Sequence, residues 1–486
     1  MDETTPLVAK STKTHWLRVK PSPWVLLPPL FVLGCSISML QGPLVQFVID
    51  LICSRIDSTE AIRRPREQCN ADSAVQAQVS NLMMWVTVLG SVVGLLTTAI
   101  YSKMSDKKGR RPVFIINGLA FAADLGITCL LIRFQETASP RLLMVGAVLM
   151  GLGGGSSTLL MSFYAYSTDC TQPADRTVVF GRLLASFLSG SMIGQTLSGW
   201  IMELTQSLEP IALTALISMI LWVLVVIFIV PESNTKALEP AIEEEEQNSR
   251  QSIWSKINFI SSLSIIFTAK PELTNRASLP ILALIQVLCK CVAIGLVTTI
   301  VLYVSYVFGW TPTDVGFFLS FESGASLVGL IVVLPALKKL HEVVVPEGVH
   351  SISSRHSSIV LDLWICRLGI LCLGLSMAVF TLAYAGWMMY LGAFFQIGGA
   401  LYNASTKSLM VQIAGEENAG LILGAGAILE SITLIFSPIL ANLLYSHFVA
   451  TAPWVVYMTF SITIGVAGLF SLLIRVRSLH SISVDL

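Results

Sequence analysis

The sequence predicts an all-α integral membrane protein of twelve transmembrane helices arranged as two bundles of six, and three observations predict it. Hydrophobic residues make up 54% of the 486 and charged residues only 12%, too apolar a mixture for a water-soluble chain of this length. Twelve separate apolar runs reach the length, about 20 residues, that a helix needs to cross the hydrocarbon layer. The longest stretch between runs, roughly 231–276, divides them six and six.

Residues 1–23 form a polar tail, and the first run covers 24–50. At 27 residues, with no small-residue cleavage site before the next loop, that run is a membrane span rather than a removable leader. The tail carries Glu3-Thr4-Thr5-Pro6-Leu7-Val8, which resembles an acidic dileucine-type sorting signal for a vacuole or lysosome. Runs two to six cover 79–101, 113–133, 142–166, 180–203 and 210–231, completing an N-terminal bundle over 24–231.

A linker, 232–278, follows. It holds the acidic run Glu243 to Glu246, read as a solvated segment, and then Trp254, Ile257, Ile260, Leu263 and Phe267 at helical spacing. That spacing predicts an amphipathic helix lying on the membrane surface. Runs seven to twelve cover 279–304, 314–337, 363–384, 386–411, 419–445 and 453–474, a C-terminal bundle over 279–474, before a tail of 475–486.

Basic residues give the orientation. Of 30 Lys and Arg, 23 fall on the side of the tails and the even-numbered connections, six on the other side, and Lys290 stands inside a span; Arg182, Arg367 and Lys407 are counted with the ends they flank. Lys and Arg collect in cytoplasmic loops, so both termini are expected in the cytoplasm, in a plasma or vacuolar membrane. The formal net charge of zero carries no message about nucleic acid, which is not an expected partner.

Seven of nine cysteines lie in spans or at their cytoplasmic edges and read as free, small hydrophobes. Cys53 and Cys69 lie on the oxidising side, sixteen residues apart, and form a candidate disulfide.

The connection between the second and third runs is Ser102-Lys103-Met104-Ser105-Asp106-Lys107-Lys108-Gly109-Arg110-Arg111-Pro112. It resembles the signature loop of the major facilitator superfamily, Gly-x-x-x-Asp-[Arg/Lys]-x-Gly-Arg-[Arg/Lys]. Asp106, Lys107, Gly109, Arg110 and Arg111 match, and Ser102 stands in place of the leading Gly. Gly109 suits a tight turn. The resemblance implies the major facilitator fold and a gating role for Asp106, Gly109, Arg110 and Arg111, latching the bundles on the cytoplasmic side.

The chain also resembles fungal members related to the proton-coupled folate transporter and tetracycline-exporter branches. The residues concerned are Phe308-Gly309-Trp310-Thr311-Pro312, the segment from Asp362 to Arg367, and Leu429-Glu430-Ser431 with Ser437-Pro438. The fifth span has Ser198-Gly199-Trp200 where drug antiporters of the superfamily carry Gly-Pro. A faint internal echo, Asp175 to Gly181 against Glu417 to Gly424, is what duplicated halves would leave.

A charge at bilayer depth costs on the order of 2.5–3.5 kcal/mol and demands a reason. Asp124, Lys290, Glu322 and Glu430 are such charges. At ~1.5 Å per residue, Lys290 and Glu430 each lie about 16 Å from the cytoplasmic edge and Glu322 about 22 Å, so either glutamate is within reach of Lys290. Lys290, Glu322 and Glu430 are therefore candidates for proton coupling. If Lys290 pairs with one glutamate, the other is the better proton acceptor. Asp124, on a peripheral span, is expected to be structural, near Asn117 and Thr128.

Candidate solute contacts are polar residues on apolar runs: Gln41, Gln46, Ser162, Tyr166, Gln195, Gln286, Gln396 and Asn403. No phosphate-cradling loop, metal-ligand cluster or triad-like arrangement is present, so the chain does not read as an enzyme and calls for no cofactor. It reads as a monomeric secondary transporter of a small organic solute, proton-linked, of unresolved direction. The alternatives are drug or secondary-metabolite efflux by proton antiport, and a non-transporting nutrient sensor.

Overall fold

Hydrocarbon cannot hydrogen-bond a peptide, so a chain this apolar must satisfy its backbone within helices. The computed structural model describes residues 20–56, 65–171, 176–234, 259–268, 274–344, 351–415 and 419–476. Apart from one isolated β-bridge, Thr274 to Val476, every regular element among them is helical. Eleven helices are individually long and apolar enough to cross a bilayer: Pro23–Ile56, Ser73–Lys108, Arg110–Arg133, Leu142–Cys170, Val178–Thr205, Glu209–Phe228, Ser278–Phe308, Pro312–His341, His356–Leu382, Gly424–Phe448 and Val455–Leu472. The remaining span, tenth in order, is two pieces, Gly386–Phe394 and Ile397–Ala414.

The spans run longer than their apolar cores. The second continues to Lys108 and the third begins at Arg110, so most of the basic segment from Ser102 to Pro112 is helix rather than loop. Gly109 alone makes the turn, at φ 99°, and a side chain there would collide with the Glu232 carboxylate. Between the seventh and eighth spans, Gly309 closes one helix at φ 64° and Thr311 opens the next. The Thr311 and Asp314 side chains cap each other's backbone, with Pro312 in the first turn.

Three spans are interrupted near mid-depth: the first at Leu40, the fourth at Gly153 and Gly154, the tenth at Phe395 and Gln396. Each break frees backbone carbonyls. At the fourth span, Asn117 Nδ2 donates to the carbonyls of Gly153 (3.0 Å) and Gly155 (2.9 Å), Thr97 to Gly151 (2.7 Å) and Tyr101 to Leu152 (2.8 Å). Asn117 is thus committed to the break and not to Asp124. Thr128 does reach Asp124, through its backbone carbonyl at 3.1 Å, while the Asp124 carboxylate lies against Gly146.

The packing repeats. In the N-terminal half the first span packs on the fifth and sixth, the third on the fourth and sixth, and the second on the fourth. In the C-terminal half the seventh packs on the eleventh and twelfth, the ninth on the tenth and twelfth, and the eighth on the tenth. These sets are related by adding six to each span. The halves meet where the second span lies on the eleventh and the fifth on the eighth, contacts that the same operation exchanges.

Hydrogen bonds across the halves lie toward the end carrying Cys53 and Cys69. Ser80 donates to Asn442 Oδ1 (2.9 Å), Thr196 pairs with Ser320 (2.7 Å), and Ser323 donates to Gln195 Oε1 (2.9 Å). That end is tied further by the Cys53–Cys69 disulfide and the Arg66–Asp50 ion pair at 2.8 Å. A continuous apolar core there joins Val48 to Cys53, Val75 and Val79 to the seventh and twelfth spans.

In the linker, Phe259–Thr268 is helical, with Ile266 buried and Phe267 exposed, and it packs on the seventh and eleventh spans. Trp254, Ile257 and the acidic run lie outside the described residues, as do Glu3 to Val8, Asp175 and Glu417.

Glycine sets how closely the first and fifth spans approach. A Cβ at Gly34 would meet the Phe187 carbonyl, and one at Gly190 the Phe31 carbonyl. Gly190→Val should therefore cost about 1–3 kcal/mol through overpacking and lower the thermal midpoint of the purified chain. Gly126→Ala, with nothing within 4 Å of the added carbon, should leave it unchanged.

Candidate functional site

The basic turn is held by Asp106 of the motif and by two acids outside it, Asp169 and Glu232. Arg110 bonds to Asp106 at 2.6 Å and, from the other edge of its guanidinium, to Asp169 at 3.0 Å. Glu232 accepts the backbone N–H of Arg110 (2.8 Å) and of Arg111 (3.0 Å), exposed donors at the start of the third span, and the Arg111 side chain reaches the Ile227 carbonyl. All these partners belong to the N-terminal half. The signal for Asp169 and Glu232 was available: they are acids at the edges of the fourth and sixth spans, on the side where Lys and Arg otherwise collect.

The second cluster lies deep in the C-terminal half. Glu430 of the eleventh span is approached at the same oxygen, Oε1, by Lys290 of the seventh at 3.7 Å, Lys407 of the tenth at 3.5 Å and Gln286 Nε2 at 3.0 Å. The side chains of Lys290, Lys407 and Glu430 keep 23%, 33% and 18% of their surface exposed, so the group is not sealed within the bundle. Gly426, one turn from Glu430, has no side chain and so lets Gln286 come against the eleventh span. Tyr402 of the tenth span donates to the Gln286 carbonyl at 3.4 Å. From the N-terminal half, Tyr164 presents its ring 5.7 Å from Lys407 Nζ.

Lys290 and Glu430 are thus brought together, and Gln286 joins them. Lys407 was missed because sequence position put it with the helix end. It stands seven residues inside the end of its helix at Ala414 and turns to Glu430 instead. Further along the eleventh span, Ser437 donates to the Cys291 carbonyl at 2.5 Å and ties it to the seventh, while Thr433 bonds within its own helix.

Glu322 makes no ion pair among the described residues, so the possible Lys290–Glu322 bridge is not formed. Helical spacing puts it opposite Ser320, Ser323 and Gly324, the face that meets the fifth span, and therefore toward the C-terminal half's own interior.

The other candidates divide. Gln195 donates to Gln41 Oε1 at 3.2 Å and accepts from Ser323, so both glutamines serve the contact between halves. Gln46 does not line a solute path: it donates to Asn70 at 2.6 Å beneath the disulfide. Ser162 and Tyr166 are fully buried, and the Tyr166 ring lies 6.3 Å from Phe114 in the N-terminal core, so neither faces a central site. Gln396 occupies the tenth-span break, buried and with its amide nitrogen unpaired. Asn403 is part-exposed one turn before Lys407, on the same face.

Twelve apolar helices in two related halves, with a partly exposed charge cluster at bilayer depth, define a membrane transporter. Residues 74–344 match the Major Facilitator Superfamily, and the chain belongs to it. It is 23% identical to an MFS-type transporter, avaJ, of Aspergillus versicolor, over 98% of this chain and 95% of that one. It is 24% identical to a class D tetracycline resistance protein of Salmonella ordonez, over 82% of this chain and 89% of the other. The crystal structure of the human organic anion transporter MFSD10 superposes with a TM-score of 0.61 at 14% identity, covering 93% of this chain and all of that one, a likeness of fold.

Removing one partner from a buried ion pair costs on the order of 3–5 kcal/mol because it strands the other charge. Glu430 has two cations, so Lys290→Gln and Lys407→Gln should each be tolerated, while the double variant should lose more thermal stability than the two single losses summed. Adding Glu430→Gln to the double variant should restore most of it. Melting curves of the purified chain check this.

Proposed function

We propose that this chain is a proton-linked carrier of a small organic solute, working by alternating access around the Lys290–Lys407–Glu430 cluster. The basic turn is the cytoplasmic end, and both termini share that side. The observation that carries the reading is the shared Glu430 oxygen. Two lysines share that one carboxylate at bilayer depth, so neutralising or displacing it would release both at once, which couples the state of a single group to the whole cluster.

With that orientation, the cross-half hydrogen bonds all lie in the outer leaflet half, and the Arg110 cluster binds only its own bundle. This supports an inward-facing conformation. In an outward-facing one, Asp106, Gly109 and Arg110 would meet the C-terminal bundle as a latch. The solute would sit between Lys407 and Asn403 on one side and Tyr164 on the other. Gln41 and Gln195 would act in the outer contact that must open. Because Lys290 and Lys407 pair with Glu430, Glu322, which has no ion pair among the described residues, is the better proton acceptor, and Glu430 is the alternative once the lysines leave it.

In proteoliposomes, Glu322→Gln should abolish the dependence of solute flux on an imposed pH gradient. Unchanged gradient dependence in both Glu430→Gln and Glu322→Gln would overturn the coupling. For topology, Lys103 and Glu67 are both exposed. In right-side-out vesicles, a membrane-impermeant thiol reagent should modify Glu67→Cys directly and Lys103→Cys only after permeabilisation.

A further inference from the structure

The charge cluster is unbalanced. Two ammonium groups face one carboxylate oxygen, and among the described residues no second acid pairs with either lysine. Asp362, on the neighbouring ninth span, is engaged by Ser408 (2.6 Å), Gln412 (2.8 Å) and Lys338 (4.0 Å). Glu322 makes no ion pair among the described residues. The second span between Ser73 and Tyr101 and the whole twelfth, which also pack on the eleventh, contain no Asp, Glu, Lys or Arg. The titratable groups around Glu430 are therefore Lys290, Lys407 and the phenols Tyr402 and Tyr164.

Neither lysine is firmly held. Their distances of 3.7 and 3.5 Å exceed the about 2.7–2.9 Å of a committed charge-assisted bond, whereas Gln286, a neutral donor, sits at 3.0 Å. Among the described residues, the other contact of Lys407 is with the face of the Tyr164 ring of the N-terminal half. Lys407 is also the most exposed of the three charged groups, and Asn403 on the same helical face offers an amide donor beside it. A surplus cation at this depth, loosely paired and turned toward the opposing half, is a docking point for an anion.

We propose that the solute carries an anionic group, a carboxylate or its equivalent, which docks between Lys407 and Lys290 in competition with Glu430. Its remaining body lies against the Tyr164 and Phe180 rings, whose centroids are 4.8 Å apart. The inference rests on the carrier reading above and names the chemical class its solute must have. Glu430 then acts as an internal surrogate anion, holding the lysines when the site is empty and giving them up when it fills.

The test uses the full chain in detergent micelles, with thermal stabilisation read against benzoate, naphthoate and succinate and against the corresponding alcohols and amines. At least one carboxylate should stabilise saturably and its amine counterpart should not. Lys407→Gln should raise the half-saturating concentration roughly tenfold or more, and Lys407→Arg should preserve it. Glu430→Gln should lower it, since the competing carboxylate is gone. An opposite response to two substitutions in one cluster is not what a merely structural role produces.

The proposal is overturned if no carboxylate gives a saturable response, if amines bind where carboxylates do not, or if Lys407→Gln melts like the parent chain yet leaves carboxylate binding unmoved. Binding in micelles needs neither flux nor a gradient. Its failure leaves the carrier reading intact, and a loss of proton coupling leaves the anion reading intact.

Discussion

Lipid offers no hydrogen bonds, and every other feature of this protein follows from how the chain answers that constraint. The answer for the backbone is helix. Where a helix is interrupted, neighbouring side chains replace the lost partners, as Asn117, Thr97 and Tyr101 do for the carbonyls around Gly153. Without those three side chains the fourth span could not be broken at mid-depth. The break in turn separates Leu142–Leu152 from Gly155–Cys170, both packed on the second and third spans, and the latter piece carries Tyr164 to Lys407.

The same constraint sorts the charges. Arg110 is surrounded by Asp106, Asp169 and, at the adjoining backbone, Glu232, and is fully compensated within its half. Lys290 and Lys407 share a single carboxylate and are compensated only in part. A satisfied cluster is rigid, and an under-satisfied one is ready to exchange partners. Under the carrier reading proposed above, the difference separates a turn that stays with its bundle from a site that changes partners.

Much of this was legible in the residue pattern. Apolar runs of sufficient length gave twelve spans, and the long linker gave the division into halves, because the cost of leaving a peptide unpaired in hydrocarbon is nearly independent of what the helix packs against. Lys290 and Glu430 stood out for the same reason, as ionic groups where none is free of cost. Cys53 and Cys69 stood out by compartment and spacing, and the structure joins them. The candidates read from polarity alone fared differently. Gln46, Ser162 and Tyr166 face the interior of packed helices, Gln46 bonded to Asn70 and the other two hydroxyls buried without a partner among the described residues, because polarity along a run does not say which of its faces packs against a neighbour.

By itself the sequence determined that the chain crosses a membrane twelve times, where its basic turn lies and which ions are stranded at depth. These depend on local hydropathy and on the length of each run. Only the tertiary structure decided that Lys407 belongs to the site, that Glu322 stands apart from it, and that Asp169 and Glu232 hold the basic turn. Those pairings join residues from different spans. Which faces of two helices meet is set by close approach at glycines such as Gly190 and Gly426, a fact about side-chain volume in three dimensions that one helix cannot encode for another.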